Sequence, residues 1–183
     1  MDTRKYKLWW IILFIPFLMA CPWKDNCLDD VAGVEFVDGL MVISPLQDTF
    51  KIGDIVSFEV IVPDSFNFGE KRISLIGETS DERPIIRVSQ GLFDDTYIDF
   101  FSNVLLIQHG ERVNKDSAFR LHFCFEDNIY KLRIQLTFEI VGQYRFSRRN
   151  DIDFGSQKNC NFYSISTNVK GTEGNFLEFV VIE

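Results

Sequence analysis

Tyr130-Lys131-Leu132-Arg133-Ile134-Gln135-Leu136-Thr137-Phe138-Glu139-Ile140 decides how this chain folds. Every even-numbered position in it is apolar or aromatic, and every odd-numbered one is polar or charged. That is the period of a strand with one buried and one wet face. Just upstream, Phe119, Leu121, Phe123 and Phe125 share one parity, while Arg120, His122, Cys124 and Glu126 share the other. Glu126-Asp127-Asn128 supplies a turn between the two runs. Together they predict a hairpin with an oily side and a wet side. Its register is strongly specified, because a slip of one residue would put the whole apolar set into water.

The same period recurs outward from this hairpin. Val56, Phe58, Val60 and Val62 alternate with Ser57, Glu59 and Ile61, between a Gly53-Asp54 turn and a Pro63-Asp64 stop. Weaker strands are expected near residues 40–44, 72–76, 85–88, 97–108, 144–147, 163–169 and 176–182. The 97–108 segment reads as one long strand, two short ones or, over Phe100–Ile107, a short helix. No stretch carries a sustained helical period with caps. About nine strands at short spacing predict an all-β, antiparallel two-sheet sandwich, with a closed lipocalin-like barrel as the runner-up.

Glu139-Ile140-Val141-Gly142-Gln143-Tyr144-Arg145-Phe146 resembles the Gly-x-Tyr-x-apolar corner of immunoglobulin-like domains. The resemblance implies a tyrosine hydroxyl bonded to backbone across a turn between sheets. Phe146 stands where immunoglobulins place a cysteine, and no tryptophan core marker accompanies it.

The N-terminus carries an address. Arg4, Lys5 and Lys7 precede an uncharged run from Leu8 to Met19. Charge, short apolar stretch and small residue are the three parts of an export signal. The run is shorter than the ~20 residues needed to span a bilayer. Leu18-Met19-Ala20-Cys21 then resembles the lipobox of bacterial lipoproteins. The resemblance implies cleavage before Cys21, with lipid on its sulfur and acylation of its nitrogen. Two or three buried chains anchor far more firmly than one, at ~0.8 kcal/mol per methylene. Pro22 rather than aspartate follows Cys21, which within that family leans toward the outer membrane, periplasmic or surface-exposed. Lys24-Asp25 weakly resembles a surface-export tag. The remainder resembles uncharacterised Gram-negative envelope lipoproteins, through Ser44–Asp54 leading into a strand and a cysteine near each end of the domain. The organisation expected is a signal peptide over 1–20, a lipidated tether over 21–33 and a single β-sandwich domain over 34–183.

Composition excludes some partners. Taking Arg4, Lys5, Lys7 and Asp2 from 19 basic and 27 acidic residues leaves 16 and 26, a net charge of −10. Nucleic acid rewards basic surfaces, so it is not expected as a partner. Docking on anionic lipid is disfavoured likewise, which leaves membrane attachment to the lipid anchor. Of the four cysteines, lipidation of Cys21 leaves Cys27, Cys124 and Cys160. Three allow at most one internal disulfide. Cys27–Cys160 is the expected pair, since both lie in polar surroundings; Cys124–Cys160 is the rival. No Cys-x-x-Cys spacing suggests zinc or redox work.

Candidate chemistry is sparse. His109 lies in a Gln-His-Gly-Glu turn, and His122 lies on the polar face of a strand; both read as surface side chains. There is no nucleophile elbow, no His-Glu-x-x-His and no phosphate loop. Cys124 and His122 lack the third group a thiolate pair needs. Asp94-Asp95 with Asp99, and Asn150-Asp151-Ile152-Asp153, offer oxygen ligands for calcium, but a solvated loop is the better reading, since the glycine and distal glutamate of an EF-hand are missing. No metal or cofactor is assigned. The expected function is a non-enzymatic binding or scaffold module for a protein or glycan partner. The alternatives are a carrier of a small hydrophobic ligand and a polysaccharide hydrolase using paired carboxylates.

Overall fold

The alternation that begins at Tyr130 forms β11 (Ile129–Thr137) in the computed structural model. It pairs antiparallel along its whole length with β3 (Ile55–Pro63), from Ile129 opposite Pro63 to Thr137 opposite Ile55. The structure describes residues 31–88, 97–113, 117–147, 149–156, 160–172 and 176–183. Tyr130, Leu132, Ile134 and Leu136 of β11 and Val56, Phe58, Val60 and Val62 of β3 are wholly buried. On the opposite face Glu59 reaches Lys131 and Arg133, at 3.3 and 3.8 Å.

This pair sits within a ten-stranded sheet. β1 (Val31–Ser44) adds to β3 antiparallel through residues 41–44, and to β14 (Phe162–Val169) in parallel through 31–41. β13 (Arg149–Phe154), β6 (Ile85–Arg87), β9 (Ala118–Arg120) and β8 (Glu111–Arg112) continue the sheet in that order. On the outer edge of β11, its first residues take β10 (His122–Cys124) and its later ones take β7 (Val104–His109). A smaller sheet has the order β12 (Gly142–Ser147), β15 (Phe176–Ile182), β2 (Thr49–Lys51). β4 (Ser65–Phe68) and β5 (Lys71–Ser74) form a separate hairpin. One short helix, α1 (Leu75–Thr79), starts at Ser74, whose hydroxyl accepts from the Gly77 N–H.

The two main sheets are joined by one long bent ribbon. β12 and β13 follow each other along one arm, and β14 and β15 along the other. The half of the ribbon near its turn, β13 with β14, pairs inside the large sheet, and the far half, β12 with β15, belongs to the small sheet. Burial keeps its parity through the bend: Tyr144, Phe146, Asn150, Ile152 and Phe154 on one arm, and Tyr163, Ile165, Thr167, Val169, Leu177, Phe179 and Val181 on the other. A shared inward face lets one ribbon serve two layers. Gly155, at φ +75°, begins its turn, where a Cβ would collide with the Asn161 carbonyl.

Between the layers lies an interior of rings. Phe101 packs against Phe58, Phe100, Phe119 and Phe146, with centroids 4.7 to 6.3 Å apart. Phe138 bridges Phe50, Phe100 and Phe179. These are tilted and edge-on arrangements of the kind aromatic quadrupoles favour. The protein is thus an all-β sandwich. The expected corner is formed: the buried Tyr144 hydroxyl donates to the Ile140 carbonyl at 2.7 Å. The interior is filled rather than hollow, so the barrel alternative does not describe it.

Several local expectations are corrected. The run 119–125 does not form one arm of a hairpin. It breaks at Leu121, whose N–H donates to the Pro84 carbonyl; β9 turns to β6 and β8, and only β10 stays on β11. Phe125, placed on the oily face from sequence, is 66% exposed. Val31–Gly33, assigned to the tether, belong to β1. The ambiguous 97–108 segment is a 3-10 turn over Phe100–Ser102 followed by β7. Two strand contacts, β1 with β14 and β15 with β2, are parallel within the otherwise antiparallel pattern.

Candidate functional site

Cys21 and Cys27 lie outside the described residues, as do Asp94 and Asp95. Cys124 carries a free thiol. The rival Cys124–Cys160 pairing is therefore overturned.

The calcium candidates are strand and cap residues. Asp151 and Asp153 sit on β13, not in a loop, and project from the wet face of the large sheet. Asp151 accepts from the Ser166 hydroxyl of β14. Asp153 accepts from the Ser164 hydroxyl at 2.9 Å and pairs with Arg87 of β6. Their oxygens thus stitch three strands together. Asp99 caps the 3-10 turn, accepting from the Phe101 N–H at 2.6 Å. Among the described residues no cluster of three or more histidine, cysteine or acidic side chains could hold a metal ion. His109 ends β7 exposed. His122 and Cys124 share a face of β10, but the thiol's neighbour is the His122 carbonyl, 3.9 Å away, not the imidazole.

Among the described residues, two clefts bear on function. One, of about 530 Å³, is lined by Ser80, Asp81, Glu82, Arg83, Glu111 and Arg120. Both arginines turn to the Glu111 carboxylate, at 3.8 and 3.4 Å, and all three side chains are substantially exposed. Such solvated pairs contribute ~0–1 kcal/mol and define little geometry.

The second, of about 350 Å³, lies on the outer side of the small sheet. Asp48, Tyr97, Gln143, Glu178 and Val180 line it, together with Tyr144 and Phe179. Four separate chain segments build it. β12 and β15 bring Gln143 opposite Val180 and Arg145 opposite Glu178. β2 adds in parallel at Val180, placing Asp48 beside it through a bond from the Val180 N–H to the Asp48 carbonyl. Ile98 bridges to Tyr144, and its N–H donates to the Gln143 carbonyl at 2.8 Å, which places Tyr97 at the rim.

Arg145 orders two of these lining side chains. Its guanidinium donates to the Tyr97 hydroxyl at 2.9 Å and to Glu178 Oε1 at 2.8 Å. It also lies 4.0 Å from the Tyr97 ring centroid and 4.9 Å from that of Phe176. The planar fork of arginine suits such simultaneous stacking and hydrogen bonding. Beneath the sheet, Tyr144 holds the floor: its hydroxyl meets Asn103 as well as Ile140, and Asn103 Oδ1 accepts from the Glu139 N–H at 3.0 Å. Burial raises the Tyr144 phenol above its ordinary value, with the Asn103 bond opposing the rise and the Asp99 charge adding to it.

The cleft stands at the end of the molecule away from where the described chain begins. Val31 lies beside Phe162, at the end that also carries Pro63, the β10–β11 turn and the Gly155 turn. Ser44 and the 45–48 segment lie at the other end of β1, with Gly53, Phe138 and Ile182. The 14-residue β1 runs between these ends, with register shifts at Val31/Gly33 and Val37/Met41 that keep it short of full extension.

Sequence reading singled out Gly142–Phe146 for its tyrosine and passed over Gln143 and Arg145 beside it. Nothing in the local pattern of Asp48, Tyr97 or Glu178 marks them. Their meeting depends on strand order.

No family model and no curated protein matches the chain. Among solved structures, the major subunit of aggregative adherence fimbriae type I from Escherichia coli is similar, with 12% identity and a TM-score of 0.34 over 71% of this chain and 94% of that one. A superposition that loose carries no argument about function; the β-sandwich assignment stands on the strands and the Tyr144 corner themselves.

Proposed function

We propose that this chain is an envelope lipoprotein, anchored through lipid on Cys21, that acts as a non-enzymatic binding module with the Asp48–Tyr97–Gln143–Glu178 cleft as its binding face. One observation carries this reading: the cleft has side chains held in place by Arg145, and Asp48 at its rim lies past the end of β1 opposite the one where that strand begins. A tether entering at β1 leaves that face pointing away from the membrane. Ordered side chains lose less freedom on binding, which is where a small site gains affinity.

The expected Cys27–Cys160 bond fits the register. Val31 pairs with Phe162, so Cys27 lies four residues before β1 and Cys160 two before the facing strand. A bridge there would pin the tether to the turn end of the ribbon. The filled ring interior favours this module over a carrier. The apolar gap under Pro45 and Leu46 is too narrow for a water molecule, let alone a lipid.

Two measurements test the proposal. Intact mass of the protein extracted from membranes should equal residues 21–183 plus acyl groups, with one free thiol before reduction and three after. A photo-crosslinker replacing Gln143 should capture material in intact envelopes that the same group replacing Arg133, on the other sheet, does not. A mass beginning elsewhere would remove the anchor. Equal capture from both positions would remove the cleft as the binding face.

A further inference from the structure

The cleft's chemistry points to one class of occupant. We infer that it takes a neutral or amino sugar of a glycan; this rests on the binding-module reading above. Three observations carry the inference.

The first is the mixture of surfaces. Tyr97 offers an aromatic wall, while Glu178, Asp48 and Gln143 offer acceptors and one amide donor pair at the same opening. A pyranose presents both an apolar C–H face and a rim of hydroxyls. Carboxylates and amides match vicinal hydroxyls, since each can engage two at once. The second is charge. Asp48 and Glu178 line the cleft, whereas Arg145 stands behind it, turned to Tyr97 and Glu178. Arg145 offsets Glu178, but Asp48 has no ion-pair partner among the described residues, so an anionic sugar such as a sialic or uronic acid would meet its carboxylate. The third is size and order. About 350 Å³ suits one or two sugar rings, near the lower end of small-ligand sites.

The two fixed side chains give the inference its shape. Arg145 holds Glu178 through Oε1, which leaves Oε2 to accept from a hydroxyl. It also donates to the Tyr97 hydroxyl and stacks on one face of its ring, which leaves the phenol O–H to donate and the other ring face for a sugar's C–H face.

The test uses the full lipidated chain in detergent micelles, applied to an array of neutral, amino and sialylated or uronate oligosaccharides. Titration with the best-retained glycan then follows. Selective retention of neutral or amino glycans is expected, weakened tenfold or more by Tyr97→Ala and by Glu178→Gln. Arg83→Gln, in the other cleft, should leave binding unchanged. A folded far-ultraviolet spectrum and an unchanged thermal midpoint for Glu178→Gln exclude misfolding as the cause. Preference for anionic glycans, or equal binding by Tyr97→Ala, overturns the inference. If no glycan binds while the crosslinker at position 143 selectively captures a protein, the sugar assignment fails and the binding module stands. If neither binds, both fail.

Discussion

Two tyrosines, both wholly buried, mark the two ends of this sandwich and differ in what their hydroxyls do. Tyr144, beneath the cleft, donates to the Ile140 carbonyl and shares Asn103, which in turn ties Phe100 and Glu139. Tyr130, near the end where β1 begins, packs its ring on Phe123 and Phe154, and its hydroxyl has no hydrogen-bond partner among the described residues. One ring therefore carries a structural polar network and the other serves as apolar volume. A buried polar group stabilises only when its partners are in place, and otherwise brings only its desolvation cost. The cleft end is thus polar-locked, while the opposite end is held by ring packing and strand pairing.

Removing a ring at the locked end should have the largest effect. Phe100 touches Phe101, Phe138, Phe146 and Phe179. Phe100→Ala should cost about 3–5 kcal/mol in urea unfolding, as for other large-to-small core changes. A cost below about 1 kcal/mol would mean that the rings there are loosely packed. Next is Tyr144→Phe, expected to cost about 1–3 kcal/mol because it strands the Ile140 carbonyl and part of Asn103.

A double-mutant cycle sharpens the contrast. Tyr144→Phe with Asn103→Ala should show a coupling of about 0.5–3 kcal/mol, the range for residues in one network. Strict additivity would dissolve the network. Tyr130→Phe should fall within about 0.5 kcal/mol of the parent or stabilise slightly, since no partner is abandoned. A loss beyond about 1 kcal/mol would reveal a partner for that hydroxyl.

The smallest effect is one of pH. Burial, followed by the charges of Asp64, Asp81 and Glu82, pushes the Tyr130 phenol well above the ordinary range. Burial raises Tyr144 as well. A phenol whose folded value lies above its unfolded one adds stability that is fully present below about pH 10 and declines as pH rises beyond it. Urea midpoints should therefore fall between about pH 10 and 11.5, and Tyr130→Phe should flatten that fall more than Tyr144→Phe does. The order of the two variants is what this titration checks.

Much of the frame was legible because period two is a local signal. Val56–Val62 and Tyr130–Leu136 each show alternate apolar positions, Phe176–Ile182 is a short apolar run broken by Glu178, and each is a strand. The Tyr144 corner was legible because its bond spans four residues. β13 was not: Asp151 and Asp153 outweigh Ile152 and Phe154 in so short a run, and their cross-strand partners Ser164, Ser166 and Arg87 are distant in sequence. The first residues of β1 were hidden by Gly33 and Gly39, which break the apolar pattern. The 119–125 run misled because periodicity tells which face a residue takes, not which neighbour its strand will pair with.

The amino-acid pattern alone therefore determined the all-β class, the apolar faces of its clearest strands and the tyrosine corner, since these follow from backbone period and short-range hydrogen bonding. Tertiary structure alone decided that one bent ribbon would serve two sheets and that a single run would divide between β6 and β11. It alone brought Asp48, Tyr97, Gln143 and Glu178 around one opening. Those outcomes depend on strand order and on long-range pairing, in which residues as much as 132 positions apart become neighbours, as Asp48 and Val180 do.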